Sequence, residues 1–259
     1  MDEPQIPNVL ACDVGNSAIH FAHISGEQVD PPRVMRTGEL AGLGEALAEM
    51  WAAIPEPKTL VAASVNPTAL KALEAAASES LAQDVLVIGR DLPLPIRTDL
   101  PHPESTGVDR LCAAVAAYDR LGAACVVADF GTAITLDCVN DEGVFLGGAI
   151  LPGLTLAARA LAGNTAQLPD VDLAGPTGVF GKDTDEAIRL GIVQGARGAL
   201  REFVERYATA LGRWPTVILT GGDAELICSD VNDTGIVQAV VEDLTVRGVA
   251  MAYYNTLLA

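Results

Sequence analysis

"VADFGTAITLD", Val127 to Asp137, decides the reading of this chain. A β-branched, apolar run ends in Asp129, Gly131 follows two residues on, and Thr132 and Thr135 come next. The run reads as a buried strand, and the Asp-x-Gly as a turn at its end. "LACDVGNSAIH", Leu10 to His20, repeats the device with Asp13, Gly15, Asn16 and Ser17. One constant offset lays Asp13-Val14-Gly15-Asn16 on Asp129-Phe130-Gly131-Thr132 and the apolar Val9–Cys12 on Cys125–Ala128. The shared frame points to internal duplication.

The chemistry of such a turn is specific. An aspartate closing a buried strand emerges at the sheet edge where α/β proteins place ligands. The glycine lets backbone approach a bulky anion. Asn16, Ser17, Thr132 and Thr135 offer side-chain donors beside backbone N–H groups. Carboxylates do not bind phosphate directly, so Asp13 and Asp129 must hold a cation or a water. One loop of this kind is better explained by an aspartate capping a turn. Two favour a polyphosphate clamp.

Working outward, strands and helices alternate. Expected strands are Val9–Cys12, Ala18–Ile24, Thr59–Val65 and Val85–Ile88, then "CVVAD", "ITLDCV", "GVFLGGAI" and "TVILTGG". Expected helices are Glu39–Trp51, Pro67–Leu81, Val108–Leu121, "PGLTLAARALAG", Asp183–Leu211 and the closing "DLTVRGVAMAYYNTLL". Residues 93–103, rich in proline, read as loop or extended edge. The pattern is α/β with two similar halves, 1–118 and 119–259.

Half of the 259 residues are hydrophobic but only 4% are aromatic, so Ala, Val and Leu carry the packing. Against 34 Asp and Glu stand 16 Lys and Arg, a net charge of -18. That field repels nucleic acid and anionic membrane surfaces, and neither is expected as a partner. It repels nucleotides too, so a phosphate ligand needs local help from metal ions, backbone N–H groups or a few arginines. The five cysteines include no C-x-x-C, and Cys12, Cys112 and Cys125 sit in apolar runs as core residues, which suits a reducing cytoplasm. "MDEPQIPN" is unlike a signal peptide, and no apolar stretch is long enough to span a membrane. The three histidines lack the spacing of zinc ligands.

Two further motifs carry chemistry. "LTGGDAEL", Leu219 to Leu226, runs from strand through paired glycines into a helix, and Gly221-Gly222 permits close approach of a base or ribose. There is neither a P-loop nor a G-x-G-x-x-G. "STGVDRLCAA", Ser105 to Ala114, opens an apolar helix with Asp109 and Arg110. An aspartate there favours the helix dipole. A cation there is mildly unfavourable, so Arg110 asks for another reason. Asp109 can accept a hydroxyl proton, and Arg110 can bind a substrate anion.

Duplicated phosphate loops with a Gly-Gly adenosine turn resemble the actin-like (ribonuclease H-like) ATPase superfamily of sugar kinases, acetate kinase and heat-shock chaperones. Within it, "DVGNS", "GVDR", "DFGTAITLD", "GGAILPGLTL", "NTAQLP", "FGKDT", "ILTGGDA" and "DLTVRGV", in this order, resemble the type III pantothenate kinases. The resemblance implies two similar lobes with mixed sheets flanked by helices. It also implies ATP-dependent phosphorylation of pantothenate in a cytoplasmic homodimer that needs Mg²⁺ and a monovalent cation, K⁺ or NH₄⁺. Asp109 matches the family's catalytic aspartate, and Gly107, Arg110 and Thr184 its pantothenate contacts, Thr184 across a dimer surface. Asp13 would place Mg²⁺ through water, and Gly15, Asn16 and Ser17 the ATP phosphates. Asp129 would seat the monovalent cation, Gly131, Thr132 and Thr135 would form the second phosphate loop, and Gly221 and Gly222 would line the adenosine pocket. The chain departs from the family pattern at Leu100, where many members carry Tyr, at Ser17 for Thr and at Val249 for Leu. Alternative readings are a catalytically weak member serving as a regulatory or partner-binding protein, and a phosphatase or a kinase for another small hydroxy acid.

Overall fold

The computed structural model describes residues 6–175, 178–231 and 235–258. The reading of the N-terminal leader falls mostly on residues 1–5, outside the described part. In chain order the elements are β1 (Asn8–Val14), β2 (Ala18–Ser25), β3 (Gln28–Val29), β4 (Arg33–Arg36), α1 (Leu43–Ala53), β5 (Lys58–Ser64), α2 (Pro67–Leu81), β6 (Leu86–Val87), β7 (Arg97–Thr98) and α3 (Val108–Leu121). Then come β8 (Cys125–Phe130), β9 (Ala133–Val139), β10 (Val144–Pro152), α4 (Leu154–Asn164), α5 (Thr184–Leu211), β11 (Thr216–Thr220), α6 (Ala224–Val231), β12 (Ala239–Val240) and α7 (Leu244–Leu258). They form two compact units, one of residues up to Arg120 together with those from Asp243 on, the other Leu121–Glu242.

In the first unit the strand order is β3-β2-β1-β5-β6, with β4 also on β2. β1 is antiparallel to β2 and parallel to β5. Leu10, Cys12 and Val14 face Leu47 of α1 and Leu73 of α2. Val9 and Ala11 point the other way, onto Val108 and Cys112 of α3 and Val246 and Val249 of α7. Burial on both faces is why β1 reads as an unbroken apolar run rather than an alternating one. α2 begins where Asn66 caps it and Pro67 fills its first turn. α1 begins later than the apolar spacing suggests, because Gly42 holds φ 85 immediately before it.

The second unit has the strands β12-β11-β8-β9-β10. β8 is antiparallel to β9 and parallel to β11, as β1 is to β2 and β5. Its core gathers Val126, Phe130, Leu136, Leu154, Leu200 and Leu219. A bulge bends β10 between Phe145 and Gly147. A Cβ on Gly148 would fall 2.9 Å from the Asp137 Cα, so close packing accounts for that glycine. α5 opens with a reciprocal cap: Asp183 accepts from the Glu186 N–H, and Glu186 accepts from the Lys182 N–H.

The expected halves were 1–118 and 119–259. The structure instead puts α7, the last described helix, with the first unit. The reason is apolar: Val246, Val249, Ala250 and Ala252 cover the sheet face that α1 and α2 leave bare. β4 was not anticipated. It follows Pro31-Pro32 and lies at the margin of the sheet, where strands are short and polar.

Candidate functional site

Asp13 is the penultimate residue of β1, and Gly15, Asn16 and Ser17 link β1 to β2. The loop's three carbonyls are all engaged by protein donors. Gly15 O accepts from Asn66 Nδ2 at 3.4 Å. Asn16 O accepts from Thr37 Oγ1 at 2.7 Å, and Ser17 O from the Thr37 N–H at 3.0 Å. A loop whose acceptors are tied back into the protein suits an anion, because nothing of like charge is turned toward it. The same Asn66 caps α2, its Oδ1 accepting from the N–H groups of Thr68 and Ala69 at 3.2 and 3.1 Å.

Asn66→Ala is therefore expected to cost about 1 kcal/mol from the lost cap, read as a shift in the urea unfolding midpoint. Asn66→Asp keeps the cap acceptor but loses the Gly15 contact, and should lower nucleotide affinity more than stability. Equal nucleotide affinity in the two variants and wild type would remove Asn66 from the loop.

Asp109 stands in the first turn of α3, its Oδ1 accepting from the Arg110 N–H at 2.8 Å. A Cβ on Gly107 would sit 2.5 Å from that same Oδ1 and 3.5 Å from Val65 Cγ1. Glycine thus clears room for the carboxylate at the end of β5. Burial pushes the Cys112 thiol well up, and the charges of Asp13 and Asp109 add to the effect. Both carboxylates therefore lie within electrostatic range of one buried side chain. Asp13, the Gly15–Ser17 loop, Gly107, Asp109 and Arg110 all belong to the first unit.

In the second unit Asp129 lies on β8 opposite Thr135 of β9, the place that His20 takes opposite Asp13. The turn is one residue shorter, Gly131-Thr132 against Gly15-Asn16-Ser17. Gly131 N donates to Ala133 O at 3.1 Å, and Gly153 N to Thr132 O at 3.2 Å. A Cβ on Gly153 would lie 2.7 Å from the Thr132 carbonyl carbon. Gly221 has φ 90, and a Cβ there would meet Phe130 O at 2.6 Å as well as the Asp129 carboxylate. The Asp223 N–H donates to the same Phe130 O at 2.9 Å. Asp129, Gly131, Thr132, Thr135 and Gly221 are thus assembled at one end of this sheet, with Gly222 exposed beside them.

A cavity of about 550 Å³ adjoins Asp223 and is walled by Thr155, Arg159, Asp172 and Leu226 among others. Burial raises the Asp223 carboxyl above the usual carboxylate range. Thr184 is not part of this group. It lines a separate cavity of about 640 Å³ with Leu161, Leu168, Lys182 and Ile188. Half of its motif has a helical explanation: Asp183 caps α5, and a Cβ on Gly181 would lie 2.5 Å from Ala187 Cα.

Thr37, Asn66 and Gly153 escaped the sequence reading as site residues. Asn-Pro before a helix is a capping signal for Asn66. Gly153 follows a proline at a helix start. Thr37 carries no local signal, because its two bonds reach back twenty residues. Among the described residues no three His, Cys, Asp or Glu side chains gather as metal ligands, and no helix is long and apolar enough to cross a membrane.

Two α/β units with matching strand order and a carboxylate-glycine turn at the end of each first strand define the duplicated actin-like ATPase fold. A Baf family protein from Campylobacter jejuni has a similar structure (TM-score 0.63, 18% identity, 97% of this chain and 100% of that one). The ethanolamine utilization protein EutJ from Carboxydothermus hydrogenoformans is also similar (TM-score 0.51, 14% identity, 96% and 90%). The sequence profile of the type III pantothenate kinases matches residues 9–206. A type III pantothenate kinase of Akkermansia muciniphila is 36% identical over 94% of this chain and 97% of its own length. One of Moorella thermoacetica is 34% identical over 95% and 98%. The chain belongs to the type III pantothenate kinase family.

Proposed function

We propose that this enzyme transfers the γ-phosphoryl group of ATP to the terminal hydroxyl of pantothenate, giving 4'-phosphopantothenate and ADP, the first step of coenzyme A synthesis. The observation that carries the reading is the Asp109 carboxylate, held at the start of α3 beside a glycine that clears its space, in the same unit as Asp13. The hydroxyl oxygen attacks phosphorus, its proton passes to Asp109, and the bond to the β-phosphate oxygen breaks as ADP leaves. Alignment and charge neutralisation dominate such transfers.

The N–H groups and hydroxyls of Gly15–Ser17 and of Gly131, Thr132 and Thr135 are assigned to the ATP phosphates. Gly221 and Gly222 are assigned to adenosine, and Gly107, Arg110 and Thr184 to pantothenate. Asp13 presents hard oxygen donors of the kind Mg²⁺ takes. Mg²⁺, when bound, would supply positive charge that offsets the charge of the phosphates. Asp129, with Phe130 O nearby, offers the oxygen donors a monovalent cation such as K⁺ or NH₄⁺ requires. Homodimerisation is supported by Val179 and Phe180, 84% and 70% exposed immediately before the Thr184 motif. A cytoplasmic setting suits five buried thiols that form no disulfide.

The test is ADP release by purified protein with Mg²⁺ and K⁺, with and without pantothenate. Release that depends on pantothenate is the expected result. Nucleotide binding without turnover would favour a regulatory protein, and turnover only with another hydroxy acid would move the substrate, for which Leu100 in place of Tyr leaves room.

A further inference from the structure

We infer that Arg36, on the unanticipated strand β4, supplies the cationic contact to the nucleotide phosphates at the Gly15–Ser17 loop. The inference rests on the kinase reading only in taking that loop as a phosphate site. Strand register places the residue. Ala18 faces Arg36 across β2 and β4, and Gly15 pairs with Ala18 through its N–H at 3.0 Å. The next row inward is Asp13, His20 and Val34. Residues directly opposite one another share a sheet face, and alternate residues along a strand return to it. Arg36 therefore lies on the face of Asp13, the face that α3 covers and from whose first turn Asp109 comes. Met35, its neighbour, packs on the opposite face with Leu47 and Leu73, which confirms the parity.

The row Gly15–Ala18–Arg36 is itself informative. Two strand spacings, roughly 10 Å, separate Arg36 from the loop glycine. Ala18, the one residue between them in that row, carries only a methyl group, so no side chain of the row stands between the guanidinium and the loop. The backbone end of that path is fixed, because Thr37 holds the end of β4 to Asn16 O and Ser17 O.

Charge completes the argument. With 34 carboxylates to 16 cations, this chain has counterions to spare. Arg33, three residues earlier, pairs with Glu49 at 2.7 Å. Arg36 is exposed and has no ion pair or side-chain hydrogen bond among the described residues. An arginine left unpaired in an acidic protein, at the end of a strand bound to an anion loop whose carbonyls are all turned inward, fits phosphate oxygens, to which its fork donates two N–H bonds. It stays protonated throughout and takes no part in proton transfer.

The experiment compares Arg36→Gln and Arg36→Lys with wild type by calorimetry, using a non-hydrolysable ATP analogue and, separately, pantothenate. The expected result is at least tenfold weaker analogue binding in Arg36→Gln, a smaller loss in Arg36→Lys, pantothenate affinity within twofold, and an unchanged melting temperature. Added guanidinium should restore part of the lost turnover in Arg36→Gln. Analogue binding within twofold of wild type would overturn the inference. So would an equal loss for pantothenate, which would mean a general disturbance of the unit. Binding is read without turnover, so absence of pantothenate-dependent ADP release would remove the kinase reading and leave this one standing.

Discussion

Asp109→Asn should slow pantothenate-dependent ADP release at least a hundredfold while leaving the fold and nucleotide binding nearly intact. General-base assistance is typically worth ~10²–10⁴ in rate, and the lower end of that range sets the figure. The substitution is conservative where the structure depends on the residue. Asn retains the Oδ1 that accepts the Arg110 N–H. It removes the negative charge at the start of α3, which costs ~0.3–1 kcal/mol through the helix dipole. It also fits the space left by Gly107. If Asp109 served only as a favourable charge at a helix start, turnover would fall no further than that small stability loss explains. Rate in single-turnover mixing, melting temperature and analogue affinity, measured on one preparation, separate the two roles. Near-normal turnover would end the assignment of Asp109 as base.

The second large effect is on stability. Gly248 lies in α7 against α3, where an added Cβ would fall 2.6 Å from the Cys112 Cα and nearer still to its carbonyl oxygen. The obstacle is backbone, so no rotamer relieves it, and the two helices must separate. Overpacking of this kind costs ~1–3 kcal/mol and occasionally more. Against it stands the helix-propensity gain of Ala over Gly, ~1 kcal/mol. With three backbone atoms inside 3 Å the upper end of that range applies, ~3 kcal/mol against ~1, or ~2 net, and at 2–4 °C per kcal/mol Gly248→Ala is expected to lower the melting temperature by roughly 4–8 °C. Gly195→Ala is the matched control. That glycine is exposed in α5 with nothing within 4 Å of the added methyl, so only the propensity gain applies and stability should rise. If both variants moved the same way, the close approach of α3 and α7 would not be what requires Gly248.

What could be read in advance follows from which signals are local. The two strand-turn devices were visible because burial on both faces writes a continuous apolar run, and an Asp-x-Gly ends it. α2 and α3 were placed to the residue by Pro67 near an N-terminus and by apolar periodicity. The gathering of Asp13 with Asp109, and of Asp129 with Gly221, is a matter of tertiary placement, for which residue type and order supplied only a hypothesis. β4 stayed hidden because a short polar strand after two prolines has no apolar alternation to betray it. Gly153 and Thr37 act on loops distant in sequence. Periodicity marks α7 as helix but says nothing of which sheet it covers.

The return of α7 to the first unit has a consequence for biosynthesis. Chains fold as they are made, at ≈ 5–20 residues per second, and domains generally fold N-terminal first. Here the opening unit can lay α3 on Val9, Ala11 and Val61 but cannot finish covering that face until residues 244–258 have emerged. Leu121–Glu242 holds its own core and can close earlier. The segment carrying Asp13 and Asp109 thus waits, half finished, while the middle of the polypeptide consolidates. A nascent chain stalled before residue 244 should show protease resistance over 121–242 and none over the opening strands.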